Sequence, residues 1–124
     1  MVLLIGLFLL NSSFKKQSGF QFRTMLVEYA ENPINIDEAH PRFSWIISSS
    51  ERNQVQSAYQ IMVATSAYRL SHNNPDLWNS GKIISSETIQ HAYGKNNLRS
   101  NSIYFWKVIF WDGNGHHYES SIKK

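Results

Sequence analysis

Cysteine is absent from the 124 residues, which excludes a disulfide framework, a thiolate zinc site and a cysteine nucleophile together. Charge is scarce, at 17% of residues, below the usual share for a globular domain. The net charge of +3 comes from twelve basic residues scattered from Lys15 to Lys124 with no stripe or arm, so no nucleic-acid partner is expected. No nucleophile elbow occurs, and the six glycines are isolated or in hairpins, so no phosphate-cradling loop is present. No apolar run reaches the ~20 residues that cross a bilayer, and no membrane span is expected. No stretch of about twelve residues shows helical periodicity.

Aromatic residues, at 14%, supply what the charge does not. Ile103-Tyr104-Phe105-Trp106-Lys107-Val108-Ile109-Phe110-Trp111 reads as one long strand. Asp112-Gly113-Asn114-Gly115 after it reads as a tight hairpin turn, because these residues tolerate positive φ. Tyr104, Trp106, Val108 and Phe110 share the inner face at period two. Ile103, Phe105, Ile109 and Trp111 share the outer one, with Lys107 its single charge. A strand apolar on both faces is expected to be covered on both, as a central strand of a sandwich.

The rest of the chain alternates short apolar segments with turns. Met25–Tyr29 reads as a first strand and Asn32–Asp37 as a loop, because Pro33 cannot donate to a ladder. Pro41–Ser48 is a second strand with Phe43, Trp45 and Ile47 inward. A polar turn spans Ser49–Gln54. Ala58–Ala64 is a third strand with Tyr59, Ile61 and Val63 inward. Ser66–Leu70 suits a single helical turn, too short to stand alone. Asn73–Asp76 is a turn, Leu77–Ile84 a brief edge strand around Gly81, and Thr88–Tyr93 a weaker strand. Six or seven short strands with turns between them predict an all-β, immunoglobulin or fibronectin type III-like antiparallel sandwich over residues 23–124. The spacing from Leu98 to Tyr104 suits a tyrosine corner.

Residues 1–22 read differently. The apolar run Val2–Leu10 has the length of a secretory signal core, although no Lys or Arg precedes it and no clean small-x-small site follows. The expectation is a leader and an exported, periplasmic or extracellular protein, with a cytoplasmic one as the alternative.

Site chemistry is sparse. The nine acidic residues fall mostly in loops and at strand ends, where they serve turns rather than a paired acid–base site. His116-His117-x-Glu119 is the one cluster with ligand character, but adjacent strand histidines point to opposite faces. Asp112-Gly113-Asn114-Gly115 lacks the third acidic ligand and closing Glu of a calcium loop. No catalytic residue, metal or cofactor is expected. Four tryptophans permit sugar stacking. Trp45 and Trp106 lie on inward faces, whereas Trp78 and Trp111 read as domain contacts, with a surface platform or core edge as alternatives.

Taken in order, several blocks resemble one family. They are Asn32-Pro33-x-x-Ile36-Asp37, Pro41-Arg42-Phe43-Ser44-Trp45, and Ser49-Ser50-x-Arg52-x-x-x-Gln56-x-Ala58-Tyr59-Gln60-Ile61-x-Val63-Ala64. Asp76-Leu77-Trp78-x-Ser80-Gly81-Lys82 follows, then Leu98-x-Ser100 and Tyr104-x-Trp106-x-Val108-x-x-Trp111-Asp112. From about Leu26 to Asp112 the chain resembles the N-terminal fibronectin type III-like domain of bacterial α-L-rhamnosidases. The resemblance implies a non-catalytic packing module of an inverting glycoside hydrolase acting on rhamnose-containing glycans. In that family the hydrolytic carboxylates sit on a distant (α/α)₆ barrel, and none of those positions is matched here. The implied partners are other domains of a rhamnosidase-like polypeptide, and a glycan secondarily. Trp78, Phe105 and Trp111 are the candidate contacts. A stand-alone carbohydrate-binding module and an adhesion or spacer domain are the alternatives.

After the hairpin, Tyr118–Lys124 offers only a short, polar last strand, which reads as short or missing and the chain as truncated. The ladder groups of the long strand would then stay open, with marginal stability or self-association as the expected result.

Overall fold

A computed structural model describes residues 20–31, 33, 40–49, 55–89, 91–95, 98–99 and 102–124. The leader run, most of the Asn32–Asp37 loop and most of the Ser49–Gln54 turn lie outside the described residues.

Two antiparallel sheets form the sandwich. The first joins β1 (Phe20–Val27), β2 (Arg42–Ser49) and β6 (His91–Ala92) in the order β1-β2-β6. The second joins β4 (Trp78–Asn79), β3 (Gln56–Ala64), β7 (Phe105–Asp112) and β8 (His117–Glu119) in that order, with β5 (Ile83–Ile84) also on β3. One short helix, α1 (Ala67–Ser71), follows β3. Ser66 caps it by accepting from the Arg69 N–H, which satisfies a donor the helix start leaves open.

Alternation places the expected inward residues in one core. Phe43, Trp45, Tyr59, Ile61, Val63, Trp106, Val108 and Phe110 are buried, with Met25, Val27 and Tyr93 joining them, while Ile47 and Tyr104, also expected inward, are partly buried against this core. The indole N–H of Trp45 donates to Gln56 Oε1 at 3.0 Å, and Gln56 Nε2 donates to the carbonyls of Ser85 and Glu87. The buried glutamine therefore ties β2 to the segment after β5, and its polar atoms do not go unmatched.

The first strand lies earlier than expected. β1 starts at Phe20, inside the segment read as leader, and Phe20 and Phe22 pack edge-on against Phe110, each at 5.2 Å. It ends at Val27 because Glu28 and Tyr29 take φ of 49° and 67°, left-handed backbone that forces a turn. Val27 and Ala30 close that turn with reciprocal backbone bonds of 2.9 and 3.0 Å. The Thr88–Tyr93 strand is shorter than expected, with only His91–Ala92 paired to β2. The tyrosine corner is present: Tyr104 Oη accepts from the Arg99 N–H at 2.9 Å and donates to the Arg99 carbonyl at 3.3 Å.

The last strand is short, as expected, at three residues, but the ladder it was expected to leave open is paired. β8 pairs with β7 from Trp111↔His117 to Ile109↔Glu119. Beyond it Ser120 donates its N–H to the Val108 carbonyl and accepts the Val108 N–H on its hydroxyl. Lys123 then bridges Trp106 with two backbone bonds of 2.8 Å. The reading from polarity failed because ladder bonds are made by backbone, which Ser120 and Lys123 supply as well as an apolar residue does.

Candidate functional site on the outer face of the larger sheet

The register of β3 against β7 sets the outer face. Ala58 lies opposite Trp111, Gln60 opposite Ile109, Met62 opposite Lys107 and Ala64 opposite Phe105. Opposed residues in an antiparallel pair share a face, so these eight side chains form one surface away from the core.

One half of that surface is closed by the chain itself. Leu70 of α1 is fully buried with Met62, Ala64 and Ile109, and Phe105, Ile122 and, from the hairpin end, Trp111 pack against them. Lys107 sits within this cluster at 4% exposure. Its Nζ donates to Asn73 Oδ1 and lies 3.5 Å from Glu119 Oε1. An ammonium without partners at this depth costs several kcal/mol. Asn73 reaches it from a left-handed φ of 51° just past α1.

The other half is open. Trp111 is half-buried, with Lys82 Nζ 4.6 Å over its ring and the His117 ring 6.4 Å away. Gln60 Nε2 donates to Asn79 Oδ1 at 2.7 Å, and Asn79 Oδ1 also accepts from the Gly81 N–H. Ile84 lies on the same face, paired with Ala58, and is 78% exposed.

At the end of this half, Asp112 organises the hairpin. Its Oδ1 accepts from the N–H groups of Asn114 and His116 at 2.8 and 3.0 Å, and Oδ2 accepts from Tyr118 Oη at 3.2 Å. Gly115 takes φ of 84° within the turn. Burial pushes the Asp112 carboxyl up, but the His116 and Asn114 N–H groups, the Tyr118 hydroxyl and the His116 ring outweigh it and hold it below its ordinary 3.8. The carboxylate is thus occupied by the turn. His116 Nδ1 lies 3.4 Å from Asp112 Oδ2, and no group of three metal-ligating side chains converges among the described residues.

The three candidate contact residues are not brought together. Trp78 faces inward at the rim of the core, stacked on Phe43 at 6.3 Å and edge-on to Tyr93 at 5.2 Å. Gly94 approaches so closely that an added Cβ would lie 3.1 Å from the Trp78 ring. Phe105 and Trp111 share the outer face but lie six residues apart on β7, about 20 Å along the strand. Both pack against the Met62–Ala64–Leu70–Ile109 cluster, Phe105 from the α1 end and Trp111 from the hairpin end, where its ring is only partly covered. Lys82 and Gln60 were missed as neighbours of Trp111, since only the pairing of β3 with β5 and β7 puts them beside it.

No helix among the described residues is long and apolar enough to cross a membrane. The family model of the Rha78A-like, N-terminal immunoglobulin domain matches residues 22–123. An α-L-rhamnosidase of Streptomyces avermitilis is 45% identical over 98 residues, covering 79% of this chain and 9% of that protein. The crystal structure of the Streptomyces avermitilis α-L-rhamnosidase complexed with L-rhamnose superposes with a TM-score of 0.78 at 39% identity, over 84% of this chain and 10% of that one. The α-L-rhamnosidase structure from Dictyoglumus thermophilum gives a TM-score of 0.77 at 33% identity, over 82% of this chain and 12% of that one. The chain therefore spans about a tenth of the length of these relatives, and the aligned part is the non-catalytic immunoglobulin-like module. The two-sheet topology, the tyrosine corner and the matched span together make this chain a member of the N-terminal immunoglobulin domain family of Rha78A-like proteins.

Proposed function

We propose that this chain serves as a domain-packing module of an exported α-L-rhamnosidase-type glycoside hydrolase acting on rhamnose-containing glycans. The observation that carries the reading is the family match over residues 22–123, against relatives about ten times longer. The open half of the outer face is the docking surface in this reading, with Trp111 at its centre and Gln60 and His117 beside it. Trp78 and Phe105, packed on their own chain, hold the flanks of the module in shape. Export rests on the apolar run Val2–Leu10.

The purified chain is expected to release no aryl group from an aryl α-L-rhamnoside. Clear turnover that one carboxylate substitution abolishes would overturn the reading. Added to a rhamnosidase stripped of its own immunoglobulin domain, the chain is expected to raise the unfolding midpoint of that enzyme, and Trp111→Ser is expected to remove the effect. Secretion with loss of the N-terminal run, read by mass spectrometry, tests the export. A glycan platform is the second reading, favoured by the part-exposed Trp111 ring with the His117 ring beside it. A change in tryptophan fluorescence with millimolar rhamnose that Trp111→Ser abolishes would support it over domain packing.

A further inference from the structure

The hairpin after β7 holds the chain's single Asp-Gly and single Asn-Gly pairs, Asp112-Gly113 and Asn114-Gly115. The side-chain carbonyl carbon of such a residue lies within reach of the backbone nitrogen that follows it, and glycine has no Cβ to hinder the approach. The structure separates the two pairs. Asp112 is 3% exposed, and its oxygens accept from the Asn114 and His116 N–H groups and from Tyr118 Oη. An ionised carboxylate held on both oxygens is a poor electrophile. Asn114 is exposed, and nothing among the described residues holds its side-chain amide. The Gly115 N–H makes one turn bond, to the Asp112 carbonyl at 3.2 Å, at the long end of the usual range. A Cβ added at Gly115 would meet nothing within 4 Å, so solvent reaches this peptide freely.

We propose that Asn114 is a site of spontaneous covalent modification, converting to isoaspartate and aspartate with water as the co-reactant. The Gly115 nitrogen attacks Asn114 Cγ. The N–Cγ bond forms, the Cγ–Nδ2 bond breaks, and Nδ2 leaves as ammonia with the proton from Gly115. Water then opens the cyclic imide, at the backbone carbonyl to give isoaspartate or at Cγ to give aspartate. Either product sets a new carboxylate beside ionised Asp112, and like charges at close range oppose each other. Isoaspartate also routes the main chain through Cβ, which lengthens it by a carbon between positions 114 and 115. The Gly115 N–H bond to the Asp112 carbonyl, the His116 N–H bond to Asp112 Oδ1 and the Asp112 N–H bond to the His116 carbonyl all close across that peptide. The longer chain breaks their geometry, and with it the Trp111↔His117 pairing at the start of β8. The inference goes beyond the domain-packing reading and does not depend on it, since it concerns the chemistry of the turn and not the sheet face.

The full chain, aged in warm, mildly alkaline buffer and mapped by peptide mass spectrometry, is expected to exchange amide for acid at Asn114 severalfold faster than at Asn79. Asn79 is the internal control, because its Oδ1 accepts from Gln60 and Gly81 and the Ser80 N–H that follows it donates to the Ile61 carbonyl. Enzymatic methylation of isoaspartate should label the Asn114 position, and Asp112 should yield none. Asn114→Gln keeps the backbone donors of the turn. It should abolish the label while near-ultraviolet circular dichroism reports an unchanged fold. The aged acidic species, separated by ion exchange, should unfold at lower urea than the parent chain. An Asn114 amide that outlasts the one at Asn79 overturns the proposal, as does conversion that occurs only in urea. Label at Asp112, or label that survives Asn114→Gln, overturns it too. An aged species with the parent's urea midpoint would overturn the link from modification to the hairpin.

Discussion

The two halves of the outer face of the larger sheet are built from the same two strands, yet one is a small second core and the other is open. At the α1 end the chain returns twice over β3 and β7, once as Leu70 and once as Ile122, and closes Met62, Ala64, Phe105 and Ile109 beneath them. At the hairpin end the cover is thinner, with the Lys82 side chain over Trp111 and Ile84 left exposed beside it. Trp111 there is shielded by the Lys82 side chain and flanked by hydrogen-bonding groups. The difference shows that side-chain alternation sets which face a residue lies on, while cover depends on where connecting segments pass. A surface left open in this way is where another domain can add its own cover.

Substitutions sharpen or break that contrast. Leu70→Ala should have the largest effect, destabilising the fold by about 3 kcal/mol, because it empties a fully buried site; urea denaturation measures it. A cost below about 1 kcal/mol would mean that α1 is not a real lid.

Asp112→Ala should come next, at about 2 kcal/mol, since it leaves two turn N–H groups and the Tyr118 hydroxyl without their acceptor. The Asp112 carboxyl titrates below its ordinary value, so its contribution is complete above the unfolded carboxyl value and is lost as pH falls through the lower folded one. The stability gap between wild type and variant should therefore be full at neutral pH and narrow below the ordinary 3.8. A gap independent of pH in acid would show that the charge is not what the turn uses.

Lys107→Met should change stability by about 1 kcal/mol or less, because an apolar side chain of similar length suits the closed half while the Asn73 and Glu119 contacts are given up. Gln60→Ala should have the smallest effect, within about 0.5 kcal/mol, because the open half contributes little to the isolated fold. A large loss there would mean that the open half is as closed as its neighbour.

Much of this was legible in the residues. The inward sets Phe43-Trp45 and Tyr59-Ile61-Val63 follow from period-two alternation, and the Asp112–Gly115 turn and the tyrosine corner follow from local chemistry. The long strand was also expected to be covered on both faces. The closing strand was legible as a short, polar one, but the pairing that continues past it was not, because Ser120 and Lys123 pair through backbone and leave no apolar pattern. The start of β1 was missed because the segment at Phe20 was assigned to the leader. Of the candidate site, Trp111 was legible as an outer aromatic, but Trp78 belongs to the core rim, and only the register of β4 on β3 places it there.

By itself, then, the sequence determined the sandwich class, the faces of each strand and the family, since these depend on local periodicity and on residues at fixed spacing. The tertiary structure alone decided which outer residues were left uncovered. Leu70, Ile122 and Lys82 reach Ile109 and Trp111 across strands that only folding makes neighbours, and no spacing along the chain encodes that distance.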